Sequence, residues 1–159
     1  MCQQISVLRI QVPFGLGKAE TRSLIIPWCT FTEPEVAHVG MYETDATTKG
    51  VKVETFTLPL GEVDRAILDG ESEGFVRVHV KEGTDTIVSA TIVAGHAGSL
   101  ISEITVAMQA GKGLSLIGST IHPYPTQSEA IRKVANLLRK TRFSSRQKSL
   151  LARWFQWTR

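Results

Sequence analysis

The chain has 159 residues, 42% of them hydrophobic and 21% charged, which suits one soluble domain with a substantial core and is too short for two. No apolar run approaches the roughly 18 to 20 residues that cross a bilayer, and the opening MCQQISVLRIQVPFG lacks the basic, apolar and small-residue order of a signal peptide, so the expected compartment is the cytoplasm. The formal net charge of +3 is uneven: nine of the 18 lysines and arginines follow Glu129 with no acid among them, which leaves the other nine against all 15 acids.

Residues 1–23 are weakly patterned around PFGLGK and read as a leader or the remnant of an upstream region. In SLIIPWCTFTEPEVAHVG an apolar, β-prone run ends at Pro27, and Thr32 ahead of Pro34 and Glu35 predicts an N-cap and a first helical turn. YETDATTKG predicts a short helix stopped by Gly50. VKVETFTLPL alternates with period two, as a half-buried strand does, and EVDRAILDG reads as a turn or short helix closing at Gly70.

GFVRVHVKEG and DTIVSATIVAG predict a hairpin turning at Gly83. The first run sets Val76, Val78 and Val80 against Arg77, His79 and Lys81. The second is apolar on both faces toward its end and belongs nearer the sheet centre. GSLISEITVAMQAG puts Leu100, Ile101, Ile104, Ala107 and Met108 on one helical face. LSLIGSTI reads as a bridge, and TQSEAIRKVANLLRK as a second amphipathic helix with Ala130, Val134, Leu137 and Leu138 inward. The economical fold is α+β, an antiparallel β-sheet of three or more strands with helices packed on one face.

Cys2 and Cys29 show no C-x-x-C or metal-ligand spacing and read as free thiols, Cys29 partly buried. His38, His79, His96 and His122 are scattered, so no metal site is expected. GLGKAE has neither the third glycine of a dinucleotide fingerprint nor the GK[ST] of a phosphate loop. The stretch IHPYPTQSEA (121–130) is more informative. Thr126 and Glu129 fit a capping box ahead of an apolar helix. Pro123 and Pro125 stiffen the lead-in and place His122 and Tyr124 on a rigid loop, which is also what an acid–base station requires. From the residues alone, helix entry and chemical site both stay open.

Three stretches in order, FTEPEVAHVG, GFVRVHVKEGTDTIVSATIVAGHAGSLISEITVAMQAG and HPYPTQSEA, make residues 24–140 resemble a known domain. It is the C-terminal dimerisation, or interface, domain of the flavin-dependent pyridine nucleotide-disulfide oxidoreductases, a family that includes dihydrolipoamide dehydrogenase, glutathione reductase and mercuric reductase. The resemblance implies a homodimer whose parent protein binds FAD and NAD(P)H in upstream domains, with neither cofactor bound by this chain alone. It implies an isolated chain that is catalytically inactive, and a parent that acts on a disulfide or metal substrate.

The family closes on H-P-T-x-x-E, where histidine and glutamate act in the partner subunit's active site. Aligning Pro125, Thr126 and Glu129 on that pattern puts Tyr124 in the histidine's place, with His122 two positions earlier. The resemblance thus implies Tyr124, Glu129 and His122 as catalytic residues. It also implies His122, Pro123 and Tyr124 as the loop facing the partner's flavin. Mercuric reductases are similar in carrying tyrosine there, but they end in a vicinal cysteine pair, whereas this chain ends FQWTR. A histidine near pKa about 6.5 both takes and gives protons at neutral pH, while a tyrosine near about 10 is mainly a donor.

The alternative is a non-enzymatic binding module. Its basic tail (141–159), with Trp154, Phe155 and Trp157, would contact nucleic acid or an anionic membrane. The interface-domain reading expects no nucleic acid and at most weak membrane contact through that tail.

Overall fold

The computed structural model describes residues 24–142 and, beyond them, the helical position Gln156. The expected leader, Cys2 and the aromatic residues of the tail lie outside the described residues. Five strands form one sheet: β1 (Trp28–Thr30), β2 (Glu35–Gly40), β3 (Val53–Pro59), β4 (Phe75–Lys81) and β5 (Ile87–Ala94). Their order is β1-β2-β5-β4-β3, and every neighbouring pair is antiparallel. β5 is the middle strand, as its apolar end predicts. The helices are α1 (Glu43–Thr48), α2 (Asp64–Asp69), α3 (Ala97–Gln109), α4 (Leu114–Ser119) and α5 (Glu129–Arg142).

The register sorts the sheet into two chemically different faces. On one, Ala37 pairs with Ile92, Ile92 with Val76 and Val76 with Leu58; the next rung is Val39, Ala90, Val78 and Phe56. All eight are buried. Helix α3 covers this face with Ala97, Ile101, Ile104 and Ala107, and α5 with Ala130, Ile131, Val134, Ala135 and Leu138. Each buried Val, Leu or Ile contributes about 1.5–3 kcal/mol over an exposed one. The opposite face carries the rungs His38, Thr91, Arg77, Thr57 and Ser89, His79, Thr55. The period-two alternation of β4 is what splits them.

Three local expectations are corrected. The helix expected from Thr32 and Pro34 is strand β2, because EVAHVG finds a full ladder on β5 and buries Ala37 and Val39 with period two. Thr32 instead donates from Oγ1 to the Pro34 carbonyl at 2.7 Å, inside the β1–β2 turn. The apolar run does not end its strand at Pro27. Strand β1 begins after that proline, which has no N–H to give a ladder.

The bridge LSLIGSTI contains helix α4, with Leu114 and Ile117 one turn apart and buried. Gly118 lets α4 lie close on α5: a Cβ there would stand 3.0 Å from that of Ala135. The expected stop of α2 at Gly70 holds, with φ of 74°, a left-handed conformation that suits glycine. In α5, Leu137 is only half-buried, and Ile131 and Ala135 fill the core beside Val134 and Leu138.

Candidate functional site

Loop 120–128 leaves α4, passes α2 and α3, and enters α5. His122 is the inner anchor. Its ring is 6% exposed, with Nε2 at 2.8 Å from Glu103 Oε1 on α3 and Nδ1 at 3.1 Å from the Thr120 carbonyl. Both neighbours accept and neither donates, so both contacts are hydrogen bonds only when both ring nitrogens carry protons.

Tyr124 points the other way. It is 70% exposed, and its hydroxyl donates to Asp64 Oδ2 on α2 at 3.0 Å. That hydrogen bond, with the charge of Asp64 behind it and a smaller contribution from Glu129, raises the phenol above the usual tyrosine value. Ile121, 94% exposed, stands at the same loop tip.

Glu129 opens α5 and is 6% exposed. Its Oε1 accepts from Arg132 Nη2 at 2.6 Å, while Oε2 has no hydrogen-bond partner among the described residues. The expected capping box therefore does not form. Thr126 spends its hydroxyl on the Pro123 carbonyl at 2.8 Å, and the Glu129 carboxylate turns toward Arg132, a charge-assisted bond stronger than one to the Thr126 amide. Gln127, buried, donates from Nε2 to Glu71 Oε2 at 2.7 Å and to Asp69 Oδ2 at 3.4 Å, tying the end of α2 to the start of α5.

The three residues singled out by sequence share this region but are not joined to one another. His122 bonds Glu103, Tyr124 bonds Asp64 and Glu129 bonds Arg132. Glu103 and Asp64 carry no linear signal, since they sit 19 and 60 positions from their partners. Arg132 was not singled out from the sequence, though its i,i+3 spacing from Glu129 on the helix is the signal that could have found it.

A second polar region lies on the sheet face opposite α3 and α5, at the start of α1, where a cavity of about 360 Å³ is lined by Trp28, His38, Tyr42, Glu43, His79 and Thr91 among others. His38 stacks on Tyr42 with centroids 4.6 Å apart, and Trp28 Nε1 donates to the Tyr42 hydroxyl at 3.0 Å. His38 meets Thr91 Oγ1 at 2.9 Å and His79 meets Thr55 Oγ1 at 2.8 Å. Burial holds both imidazoles below the usual histidine value; the Gly40 carbonyl at His38 and Glu43 at His79 oppose it only partly. Cys29, half-buried and free, is held as a thiol by burial and by Glu35.

Among the described residues no group of three or more His, Cys, Asp or Glu could hold a metal ion. Among them no helix is long and apolar enough to cross a membrane.

Comparison with known proteins bears on the whole arrangement. The family model described as "Pyridine nucleotide-disulphide oxidoreductase, dimerisation domain" matches residues 26–135. Dihydrolipoyl dehydrogenase 3 of Haloarcula marismortui is 37% identical over 115 residues, which are 72% of this chain and 24% of that protein. Mercuric reductase of Staphylococcus aureus is 35% identical over 121 residues, 76% of this chain and 22% of that protein.

In three dimensions the chain is similar to the HOCl-induced flavoprotein disulfide reductase RclA from Escherichia coli, with a TM-score of 0.75 and 25% identity over 83% of this chain and 30% of that one. It is also similar to LpdA from Mycobacterium tuberculosis, with a TM-score of 0.73 and 28% identity over 82% of this chain and 28% of that one. The chain thus spans about a quarter of the length of the curated relatives it matches.

Proposed function

This chain belongs to the pyridine nucleotide-disulphide oxidoreductase dimerisation-domain family, and from that premise we propose that it is the interface domain of a homodimeric, flavin-dependent NAD(P)H oxidoreductase acting on a disulfide or metal substrate. Two copies meet through this domain, and each lends loop 120–125 to the active site of the other. The observation that carries this reading is the loop itself, which is clamped at its base by His122 and Glu103 yet presents Ile121 and Tyr124 outward. Around the clamp lie further exposed apolar side chains, Val106 one turn along α3 from Glu103 and Leu116 on α4. Exposed apolar groups gathered about an anchored projection suit a subunit contact.

FAD held in the upstream domains of the parent supplies the electron transfer, with NAD(P)H as reductant. Toward that group this chain offers a rim rather than a cradle: Pro123 and Tyr124 are both exposed at the loop tip. Tyr124 stays protonated at neutral pH and acts through hydrogen bonding. His122 fixes the loop's path, and Glu129 keeps a buried charge behind it.

Mixed dimers of the parent test this reading. One subunit carries Tyr124→Phe, and the other is disabled in the upstream redox site but intact in the loop. Each homodimer is expected to be inactive or strongly impaired, and activity is expected to rise on mixing, because one active site then joins a sound redox centre to a sound loop. Continued inactivity in verified mixed dimers overturns the proposal.

A further inference from the structure

Tyr124 takes the place at which the resemblance implies a histidine oriented by Glu129, yet its hydroxyl bonds Asp64, 60 positions upstream. The contact belongs to a built arrangement. Helix α2 is set by buried Val63 and Ala66. It is tied to α5 by Gln127, which donates to Asp69 and Glu71, and by Lys133, whose Nζ donates to the Glu62 carbonyl at 2.7 Å just before the helix. Tyr124 enters from the loop that leads into the same α5. The separation between carboxylate and phenol is therefore fixed by packed elements.

Helix α2 also presents Ile67 and Leu68, 54% and 73% exposed, one turn on from Asp64.

We propose that Asp64 is the positioning residue for Tyr124, accepting the phenol's one O–H hydrogen bond so that the hydroxyl oxygen is presented outward as an acceptor. This rests on the reading that the loop meets the partner's active site. A phenol carries one O–H and two lone pairs. With the proton committed to Asp64, an incoming group finds lone pairs and must bring a proton-bearing or positively charged atom. Glu129 cannot take over the role in this arrangement, because one of its oxygens serves Arg132 and the other is buried. The raised phenol ionisation agrees with the geometry, since its first cause is the bond to Asp64.

The first experiment uses this chain. Tyr42 and Tyr124 are its two tyrosines, so in a Tyr42→Phe background the phenolate absorbance reports Tyr124 alone. The midpoint is expected above the ordinary value of about 10, and Asp64→Asn is expected to bring it down toward that value. Equal midpoints with and without Asp64→Asn overturn the proposal, whatever the parent enzyme does.

The second experiment uses the parent holoenzyme. Asp64→Ala, which leaves the phenol no acceptor there, is expected to lower kcat/KM at neutral pH by at least about threefold, to move the alkaline limb of the pH profile with the phenol, and to add nothing to Tyr124→Phe. If Tyr124→Phe is impaired while Asp64→Ala is normal, the Asp64 assignment fails and the loop's role stands. If Tyr124→Phe turns over normally, the loop's role fails and the purpose assigned to Asp64 falls with it.

Discussion

The apolar face of the sheet and loop 120–128 are held by opposite means. The face is a continuous block of Ala, Val, Ile and Leu with Phe56, from four strands and two long helices, where every side chain is fixed by many weak contacts. The loop rests on a few named bonds, His122 to Glu103, Tyr124 to Asp64 and Thr126 to the Pro123 carbonyl, while Ile121 and Tyr124 stand in solvent. The difference teaches where to look for each kind of effect. Changes in the first region are felt as stability. Changes in the second leave the fold standing and are felt in what the loop touches.

The largest expected effect lies in the block. Ile92 is fully buried on β5, the middle strand, between Ala37 and Val76. Ile92→Ala is expected to cost about 2–5 kcal/mol, much of the margin of a small domain. A denaturant midpoint that hardly moves would erase the distinction between the two regions.

The polar face of the sheet makes a smaller, pH-dependent contribution. Burial depresses the His38 and His79 pKa values in the folded chain, so the unfolded chain takes up protons first as pH falls. Stability is full above the ordinary histidine value of about 6.5 and declines as pH drops from there toward the folded values. Urea midpoints measured across that range are expected to fall on acidification, and the fall should shrink in the His38→Gln, His79→Gln double variant. An unchanged pH dependence in that variant removes these two residues as its source.

In the loop, His122→Ala is expected to cost about 1–2 kcal/mol, since it leaves Glu103 without its charge-assisted partner. Limited proteolysis should then cut near residues 120–125 faster while the sheet's amide protection is retained. Loss of protection throughout would place His122 with the core instead.

Glu129→Gln should move stability least, within about 1 kcal/mol, because a glutamine oxygen still accepts from Arg132. In the parent it is expected to lower turnover at least about tenfold, since the charge behind the loop is gone. Unaltered turnover would reduce Glu129 to a helix-entry residue.

The two regions also differed in how far they could be read from sequence. The β4–β5 hairpin, α3 and α5 were legible because alternation and helical periodicity are local signals. Strand β2 was not: Thr32, Pro34 and Glu35 imitate a helix start, and what decides the matter is the ladder on β5, some fifty positions away in the chain. Helix α4 was hidden because six residues offer too little periodicity. Tyr124, His122 and Glu129 were visible through the order of residues around two prolines. Asp64 and Glu103 were not, because only folding brings α2 and α3 to the loop.

The central claim is that this chain is an interface domain, and its molar mass in solution tests that most directly. Sedimentation equilibrium is expected to give twice the single-chain mass of 17.5 kDa. Val106→Asp with Ile121→Asp, two exposed positions whose loss should not unfold the chain, should return it to the single-chain value. A mass of 17.5 kDa at every concentration, or a dimer indifferent to both substitutions, would contradict the surface assigned here.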